Sequence, residues 1–397
     1  MKERAPQVPG PGRITKIIHI IETRFTERDF QRLGIRNLEG KGFSVEIWNI
    51  LPISHPEVMA TGLPVPAWAF EGHTLFTSRR MVGNAILRLD PSSTLAICFA
   101  GYSFKTYFIH LALSRRGVPY GIFMANALPI PDVPGTMALV RVSAGKLLDS
   151  LLTKAILRFY RVLGIRPAAL CLAGGLDSLA AVRQPWDETT DVLWIHALDY
   201  DVYLEAREDR APVDDHLGIF LDDNLIFDLD LVYFGGEPPS PPGVYYGRLN
   251  RFFDLVEDRF GIHIRVASHP GSDYSAHPKI FGGRPIVKGR TASLVRSCGL
   301  VLAHGSTAIN FAVLFERPVL FITDTDIRRH SHGPYIEKMA SLLGKKPVDV
   351  DDPGELDQAS IWSVDRDAYR RYRNLYIKRD GTPELPFWEV FANYLKR

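Results

Sequence analysis

The chain has 397 residues, more than one hydrophobic core usually supports, so its length predicts two domains with a ligand cleft between them. Apolar residues make up 46% and charged residues 23%, which is typical of a globular protein and excludes a largely disordered or fibrous one. Lys and Arg together number 47 against 45 Asp and Glu, and the net charge of +2 provides no electrostatic basis for a nucleic-acid partner.

The cysteines and the hydropathy pattern predict the cellular compartment of the protein. The three cysteines, Cys98, Cys171 and Cys298, each lie in an apolar run and are too far apart for a zinc cluster, which fits a reduced, cytoplasmic setting. The proline-rich, charged residues 1–13 do not resemble a signal peptide, and no run of about 18 apolar residues occurs. We expect neither secretion by that route nor a membrane span.

Peripheral contact with the inner membrane stays open because of a basic stretch near the C-terminus. Residues 366–379 carry six cations interleaved with Tyr369, Tyr372 and Tyr376. Such a stretch could contact anionic lipid headgroups, although a solvated helix face is the favoured interpretation.

Strand and helix patterns alternate along the first half of the chain. They predict strands at 14–21, 43–50, 94–100, 119–124, 168–173 and 191–195, and helices at 27–38, 104–115 and 144–163. A proline-rich stretch, residues 51–68, interrupts the series. Strands that alternate with helices need right-handed crossovers, so we expect a parallel sheet.

The second half follows the same order. It predicts helices at 246–260, 291–297 and 306–315, and strands at 262–268, 285–288, 299–303 and 318–323. We therefore predict an α/β protein of two Rossmann-like lobes, residues 1–205 and 206–350. A helical segment, residues 351–397, is expected to pack back on the first lobe through Phe387, Val390, Phe391 and Tyr394. Ligands of such sheets lie at the carboxyl ends of the strands.

The first candidate site follows the strand at 299–303 and consists of Gly305, Ser306 and Thr307 after His304. Free amides at a helix N-terminus attract anions, Gly305 permits a close approach, and the two hydroxyls add donors. A phosphate site is one interpretation. A plain helix cap by Ser306 or Thr307 is the other.

A second candidate is His269, followed by Pro270. The chain has three His-Pro pairs, so the dipeptide itself is not distinctive, but only His269 ends a predicted buried strand. An imidazole there could hydrogen-bond or protonate a phosphate, or it could simply be satisfied by backbone carbonyls.

The third candidate is the acidic pair Asp222 and Asp223, followed by Asn224 and by further acids at Asp228 and Asp230. Paired carboxylates suit a general base or a nucleophile, because a like charge raises one pKa. The same string is also a favoured turn, which is the preferred interpretation of these residues taken alone.

Two further motifs are not favoured. Gly174 and Gly175 resemble the pyrophosphate loop of ATP-pyrophosphatases, but that loop begins with Ser and opens its domain. Asp324 and Asp326 imitate a metal-binding Asp-x-Asp, for which a loop after a strand is the simpler account. His330 and His332 have no third ligand at a defined spacing, so no metal site is expected.

In their order along the chain, Asp222-Asp223-Asn224, His269-Pro270 and Ser306-Thr307 resemble the three short motifs of bacterial GT-B glycosyltransferases that use CMP-activated acidic sugars. These are the sialyl-, polysialyl- and capsule Kdo-type transferases. The resemblance covers residues 218–323, and in the first 200 residues it rests on the Rossmann-like pattern only. Asn224 stands where that family usually has glycine.

The resemblance implies a transferase that needs no cofactor or metal and moves an acidic sugar from a CMP donor to a surface-polysaccharide or lipid-linked glycan. Asp223, with Asp222 beside it, would be base or nucleophile. His269, next to Pro270, would contact or protonate the donor phosphate, which Gly305, Ser306 and Thr307 would hold. The cationic residues that could help bind the sugar carboxylate, although a surface role is expected for them, are Arg284, Lys288 and Arg290.

Two alternatives remain. One is a GT-B enzyme that uses UDP-sugars, either a transferase or a 2-epimerase, which the nucleotide preference would distinguish. The other is a non-catalytic partner in polysaccharide assembly. The joint presence of Asp223, His269, Ser306 and Thr307 argues against it, because a chain without turnover has no chemical reason to keep all four.

Overall fold

The computed structural model describes residues 13–59, 68–131, 144–209, 211–227 and 237–397. The chain forms two compact units. Unit 1 comprises Met1–Ala127, Arg141–Leu198 and Lys378–Arg397, and unit 2 comprises Leu128–Val140 and Asp199–Ile377. The chain passes from unit 1 to unit 2 between Leu198 and Asp199, seven residues before the predicted lobe boundary at 205 and 206. The boundary is earlier because the polar segment after Leu198 forms a helix of unit 2.

Unit 1 is built on a seven-stranded sheet in which every neighbouring pair is parallel, in the order β3-β2-β1-β4-β5-β6-β7. Its strands are β1 Lys16–Ile21, β2 Ser44–Asn49, β3 His73–Leu75, β4 Thr94–Cys98, β5 Tyr120–Met124, β6 Leu170–Ala173 and β7 Asp191–Trp194. Its helices are α1 Glu27–Arg32, α2 Ile35–Gly40, α3 Leu51–Ser54, α4 Pro56–Met59, α5 Arg79–Leu87, α6 Tyr107–Arg116 and α7 Ala144–Arg158.

Unit 2 carries a six-stranded sheet, again parallel throughout, in the order β10-β9-β8-β11-β12-β13. The strands are β8 Asp214–Leu221, β9 His263–Ser268, β10 Ile286–Lys288, β11 Cys298–Ala303, β12 Val319–Thr323 and β13 Val348–Asp349. The helices are α8 Asp199–Ala206, α9 Pro242–Phe260, α10 Thr291–Ser297, α11 Ile309–Leu314, α12 Thr325–Arg329, α13 Gly333–Leu342, α14 Gln358–Trp362 and α15 Arg366–Tyr372. The predicted α/β class with two Rossmann-like sheets is confirmed.

The central strands are apolar on both faces because helices cover both. Every residue of β4 and β11 is buried, for example, which is the pattern that parallel sheets require. The last helix, α16 Phe387–Lys396, belongs to unit 1, where Phe387, Trp388 and Phe391 join the core of that sheet. Residues 351–377 belong to unit 2, so only the end of the expected segment 351–397 packs on the first sheet.

Two predicted helices differ from those observed. The helix expected at 27–38 is two helices, since Gly34 between them adopts a left-handed conformation with φ of 60°. A side chain there would also collide with Trp388, whose Cδ1 lies 2.0 Å from the position of a built Cβ. The helix expected at 306–315 begins only at Ile309. Of the proline-rich interruption, residues 60–67 lie outside the described residues.

The basic stretch at 366–379 is an amphipathic surface segment. Tyr369, Tyr372 and Tyr376 are buried, whereas Arg370 and Arg371 are exposed. The tyrosines therefore cannot serve as lipid anchors, which corrects that interpretation. Within the described part of the chain, no helix is long and apolar enough to cross a membrane.

Candidate functional site

The three motifs meet at one edge of the second sheet. Asp222 follows β8, His269 follows β9, and His304 follows β11, and these three strands are parallel neighbours with β8 in the middle. The strand order turns from one side to the other between β8 and β11, which is the position where open α/β sheets place ligands. Sequence order alone could not bring together residues that are up to 85 positions apart.

Asp222 connects the acidic motif to the His269-Pro270 motif by a hydrogen bond. Its buried carboxylate accepts hydrogen bonds from the backbone N–H of Asn224 at 2.9 Å and of His269 at 3.2 Å, and from the hydroxyl of Tyr274 at 2.8 Å. Burial raises the pKa of Asp222, and these three donors oppose that rise. A carboxylate so enclosed holds loops in place and is not accessible to a substrate.

Asp223 connects the acidic motif to the segment of Gly305, Ser306 and Thr307 by a hydrogen bond. Its side chain is half-buried, and its Oδ2 accepts a hydrogen bond of 3.0 Å from the backbone N–H of Gly305. The carboxylate thus lies at the amide that the sequence assigned to a donor phosphate. Asn224, which follows, has a φ of 54°, a left-handed conformation that asparagine tolerates better than most residues. Its presence in place of glycine is therefore compatible with the turn.

His269 is half-buried, and its Nδ1 accepts a hydrogen bond from the backbone N–H of Gly271 at 3.2 Å. This partner assigns the proton of the neutral ring to Nε2. A ring with that tautomer can donate a hydrogen bond from Nε2 to an anion. Pro270 is exposed at the same turn.

His304 is a core residue. It is buried, with Nδ1 2.8 Å from the carbonyl oxygen of Ile322 and Nε2 3.0 Å from the hydroxyl of Tyr245. The carbonyl can only accept, so Nδ1 carries the proton and Tyr245 donates to Nε2. Burial lowers the pKa of His304 to about 4, so the ring is neutral at pH 7.

The segment from Gly305 to Thr307 is a turn ahead of helix α11. Ser306 Oγ accepts a hydrogen bond from the backbone N–H of Ala308 at 3.2 Å, which is a contact within the turn. Ala308 is the N-cap residue of α11 and no side chain caps that helix, so neither Ser306 nor Thr307 is its cap. Thr307 is exposed, and Gly305 and Ser306 are half-buried. A Cβ at Gly305 would lie 3.2 Å from Cγ1 of Ile336, which leaves little room for a side chain there.

The three cations considered for a sugar carboxylate have different environments. Arg284 is buried, and its Nη2 lies 2.6 Å from Asp254 and 2.5 Å from Glu257, while its guanidinium covers the ring of Phe253. These contacts make it a structural residue. Lys288 donates to the carbonyl oxygen of Ser272 at 2.6 Å, and Arg290 is exposed.

The two glycine- and aspartate-based motifs that were not favoured have structural roles. A Cβ at Gly174 would lie 2.4 Å from the carbonyl oxygen of Ala125, so chain atoms already fill the space beside this loop. Asp324 caps helix α12 by accepting from the N–H of Ile327 at 2.7 Å.

The residues considered for metal binding do not form a cluster of ligands. His330 and His332 stack, with their Nδ1 atoms 2.8 Å apart. In the part of the chain that the structure describes, no three His, Cys, Asp or Glu side chains group as metal ligands would. Asp228 and Asp230 lie outside that part.

Sequence reasoning missed a similar arrangement in unit 1. Glu22 directly follows β1, and its Oε1 accepts a hydrogen bond of 2.7 Å from the backbone N–H of Gly101, which follows the neighbouring strand β4. Oε2 of Glu22 is 3.7 Å from Nε2 of His55, and burial raises the pKa of Glu22. An acid after one strand and a glycine after the next is the signal that could have found it. Tyr274 and Tyr245 were also missed, and nothing in their sequence surroundings distinguishes them.

Comparison with known proteins gives likenesses of fold only. No protein-family model matches the sequence, and no curated protein matches it. A UDP-GlcNAc 2-epimerase from Methanocaldococcus jannaschii is similar in structure, with a TM-score of 0.49, 10% identity and coverage of 96% of this chain and 99% of that one. MurG from Acinetobacter baumannii has a TM-score of 0.46 and 10% identity over the same shares of the two chains.

A third similar structure is the glycosyltransferase SnogD from Streptomyces nogalater, with a TM-score of 0.47 and 11% identity over 96% of this chain and 99% of that one. With TM-scores below 0.5 and identities near 10%, these likenesses carry no functional conclusion.

Proposed function

We propose that this chain is a glycosyltransferase that moves a sugar from a nucleotide-sugar donor, and that the donor phosphate binds at Gly305, Ser306 and Thr307. The observation that carries the proposal is the meeting of three chemically complementary motifs at the carboxyl edge of β8, β9 and β11. The similarity of those motifs to enzymes that use CMP-linked acidic sugars makes a CMP donor the first choice. The acceptor would be a surface-polysaccharide or lipid-linked glycan.

The chemistry at this edge suits a departing phosphate. When the bond between the anomeric carbon and the phosphate oxygen breaks, negative charge grows on the phosphate, and fixed donors then bind it more strongly than in the ground state. The donors are the N–H of Gly305, the hydroxyls of Ser306 and Thr307, and Nε2–H of His269. Removal of the His269 ring should therefore lower turnover more than donor affinity.

The position of Asp223 favours a role beside the leaving group. A base or a nucleophile in a displacement at the anomeric carbon approaches from the side opposite to the leaving group. Asp223 hydrogen-bonds to the Gly305 amide that would hold the phosphate, so it lies on the leaving-group side. We therefore propose that Asp223 controls access to this amide, in preference to the base or nucleophile role that the motif resemblance implied.

The test is a thermal-shift titration of the purified chain with CMP, CDP, UDP, GDP and ATP in the presence of EDTA. A ligand that binds only the folded state raises the melting temperature. We expect CMP to raise it, and expect the double variant Ser306→Ala with Thr307→Ala to abolish that response. A matched control is Thr325→Ala with Ser341→Ala, which removes exposed hydroxyls elsewhere in unit 2.

Each other result leads to a different function. A selective response to UDP would favour an enzyme that uses UDP-sugars, a transferase or a 2-epimerase. A response to ATP alone would favour the interpretation of Gly174 and Gly175 as an ATP-pyrophosphatase loop. If no nucleotide changes the melting temperature, the proposal fails and the non-catalytic partner becomes the better account.

A further inference from the structure

Helix α7 exposes an unusual run of apolar side chains. Leu148, Leu151, Phe159 and Val162 are 57%, 55%, 54% and 84% exposed, and with Ala155 they recur at intervals of three and four residues. Hydrogen bonds from the N–H of Phe159 to Ala155 at 3.0 Å and of Leu163 to Phe159 at 3.1 Å continue the helical path beyond Arg158. These five residues therefore form one stripe, the α7 apolar face.

The opposite side of the same helix is attached to unit 1. Thr153 Oγ1 accepts a hydrogen bond from the backbone N–H of Phe104 at 3.1 Å, and the carbonyl oxygen of Ile156 accepts one from the hydroxyl of Tyr102 at 3.4 Å. The orientation of the helix is thus set by its inner side. The exposed apolar side chains therefore belong to the outer side of the helix.

Basic residues flank the α7 apolar face. Lys154 and Arg158 are exposed on α7 itself. Arg115 and Arg116 are exposed at the end of α6, which is held near residue 166 by a 2.9 Å hydrogen bond from the backbone N–H of Arg166 to Ser114. Two acids oppose cations of this region: Asp187 pairs with Arg161, and Asp90 lies near Arg116. The other acids here are Asp149 on α7 and Glu188. Lys154 and Arg158, beside the stripe on α7, therefore supply its basic border.

We propose that the α7 apolar face is a docking surface for an anionic lipid membrane. Apolar side chains along one face of a helix insert at the boundary between headgroups and acyl chains, and flanking Lys and Arg attract anionic headgroups. An apolar stripe of this length on a soluble protein calls for a partner surface, and its basic border matches the charge of such lipids. This inference is independent of the proposed catalytic activity.

The experiment is flotation of the full-length chain with vesicles of phosphatidylcholine containing about 30 mol% phosphatidylglycerol, compared with pure phosphatidylcholine. We expect binding to the anionic vesicles that weakens as salt is raised, because salt screens the basic border. The variant Leu151→Asp with Phe159→Asp should reduce the bound fraction at least tenfold. Lys154→Glu with Arg158→Glu should remove the preference for anionic vesicles.

Leu87→Asp is the matched control, because Leu87 is 67% exposed at the end of α5 and lies outside the stripe. It should bind like the unaltered chain. An unchanged melting temperature in each variant would establish that folding is intact. The proposal is overturned if the unaltered chain does not float with anionic vesicles, or if the Leu151 and Phe159 variant floats equally well. A dimer that Phe159→Asp dissociates, without any vesicle binding, would assign the face to a second copy of the chain.

Discussion

The backbone N–H of Gly305 donates a hydrogen bond of 3.0 Å to the carboxylate of Asp223. The two residues follow neighbouring parallel strands and are 82 positions apart in sequence. An anionic carboxylate and a phosphate cannot share one amide without repulsion, since unit charges a few ångströms apart interact by several kcal/mol at the effective dielectric of a protein surface. If the donor phosphate binds at this amide, as we propose, its affinity depends on the charge of Asp223.

Asp223→Asn should strengthen nucleotide binding. The asparagine oxygen can still accept from Gly305, while the negative charge that repels a phosphate is gone. We expect an affinity gain of about tenfold, measured by isothermal titration calorimetry with the nucleotide that gives the thermal shift. Asp215→Asn, an exposed aspartate of strand β8, should leave the affinity unchanged. Weaker binding in Asp223→Asn would show instead that the carboxylate itself supports the ligand.

Tyr274→Phe should destabilise unit 2 by about 1–3 kcal/mol at neutral pH, because buried Asp222 loses a donor. The hydroxyl of Tyr274 lowers the pKa of Asp222, so its removal raises that pKa further above the unfolded value. A raised carboxyl pKa costs stability as pH increases from the unfolded pKa through the folded one, since the folded state then holds a proton that it must lose. The loss should therefore be greater at pH 8 than at pH 5 in chemical denaturation. Tyr335→Phe, at an exposed tyrosine of α13, should show neither effect.

Acid should destabilise the protein between pH 6.5 and 4 through its buried histidines. Burial lowers the pKa of His304 to about 4 and of His19 to about 3. Because the unfolded chain binds these protons at an ordinary histidine pKa and the folded chain does not, stability is complete above pH 6.5 and falls as the pH decreases. The loss is on the order of 3 kcal/mol for each ring at pH 4. Denaturation midpoints that do not change over this range would contradict the expectation.

His19→Phe should stabilise unit 1. The ring lies against Phe99 and Trp388 at centroid distances of 5.3 and 5.0 Å, and neither ring nitrogen finds a hydrogen-bond partner among the described residues. Replacement by phenylalanine keeps an aromatic ring and removes two unsatisfied polar atoms, for a gain of about 1–2 kcal/mol. The gain should be larger at pH 5 than at pH 8, as measured by thermal denaturation. A lower melting temperature at both pH values would refute this.

The variant Arg284→Ala tests whether Arg284 has a structural role or binds the ligand. The guanidinium lies between Asp254 and Glu257, and its loss leaves Glu257 largely buried without its partner, so we expect a cost of about 2 kcal/mol in urea denaturation. The nucleotide-induced thermal shift should stay the same as in the unaltered chain. If the variant is still folded but has lost that thermal shift, the result would support a ligand-binding role for Arg284. Arg290→Ala, at an exposed position, is the control for stability.

Much of the fold could be predicted because its signals are local. Buried parallel strands are continuous apolar runs, so β1, β4, β11 and β12 could be recognised directly, and β9 was recognised by the alternation of its first half. Short or edge elements such as β3 and β13 carry few apolar residues and were not predicted. The central strand β8 was missed as well, because it begins with three exposed polar residues, 214–216. The break at Gly34 escaped prediction because it depends on Trp388, which is distant in sequence.

For the candidate site, the sequence alone determined the residue types and, for His269 and Ser306, the strands after which they come. His269 and Ser306 could be named because the ends of β9 and β11 are visible in the hydropathy pattern and polar residues follow them, whereas Asp222 and Asp223 were named only as an acidic pair, since strand β8 before them was not predicted. Only the tertiary structure decided which of them touch. The pairing of β8 with β9 and β11 brings Asp222 to His269 and Asp223 to Gly305, and the enclosure of Asp222 by Tyr274 follows from packing. Such contacts depend on how strands are ordered in the sheet, and hydrogen bonds between distant residues leave no periodic signal in the chain.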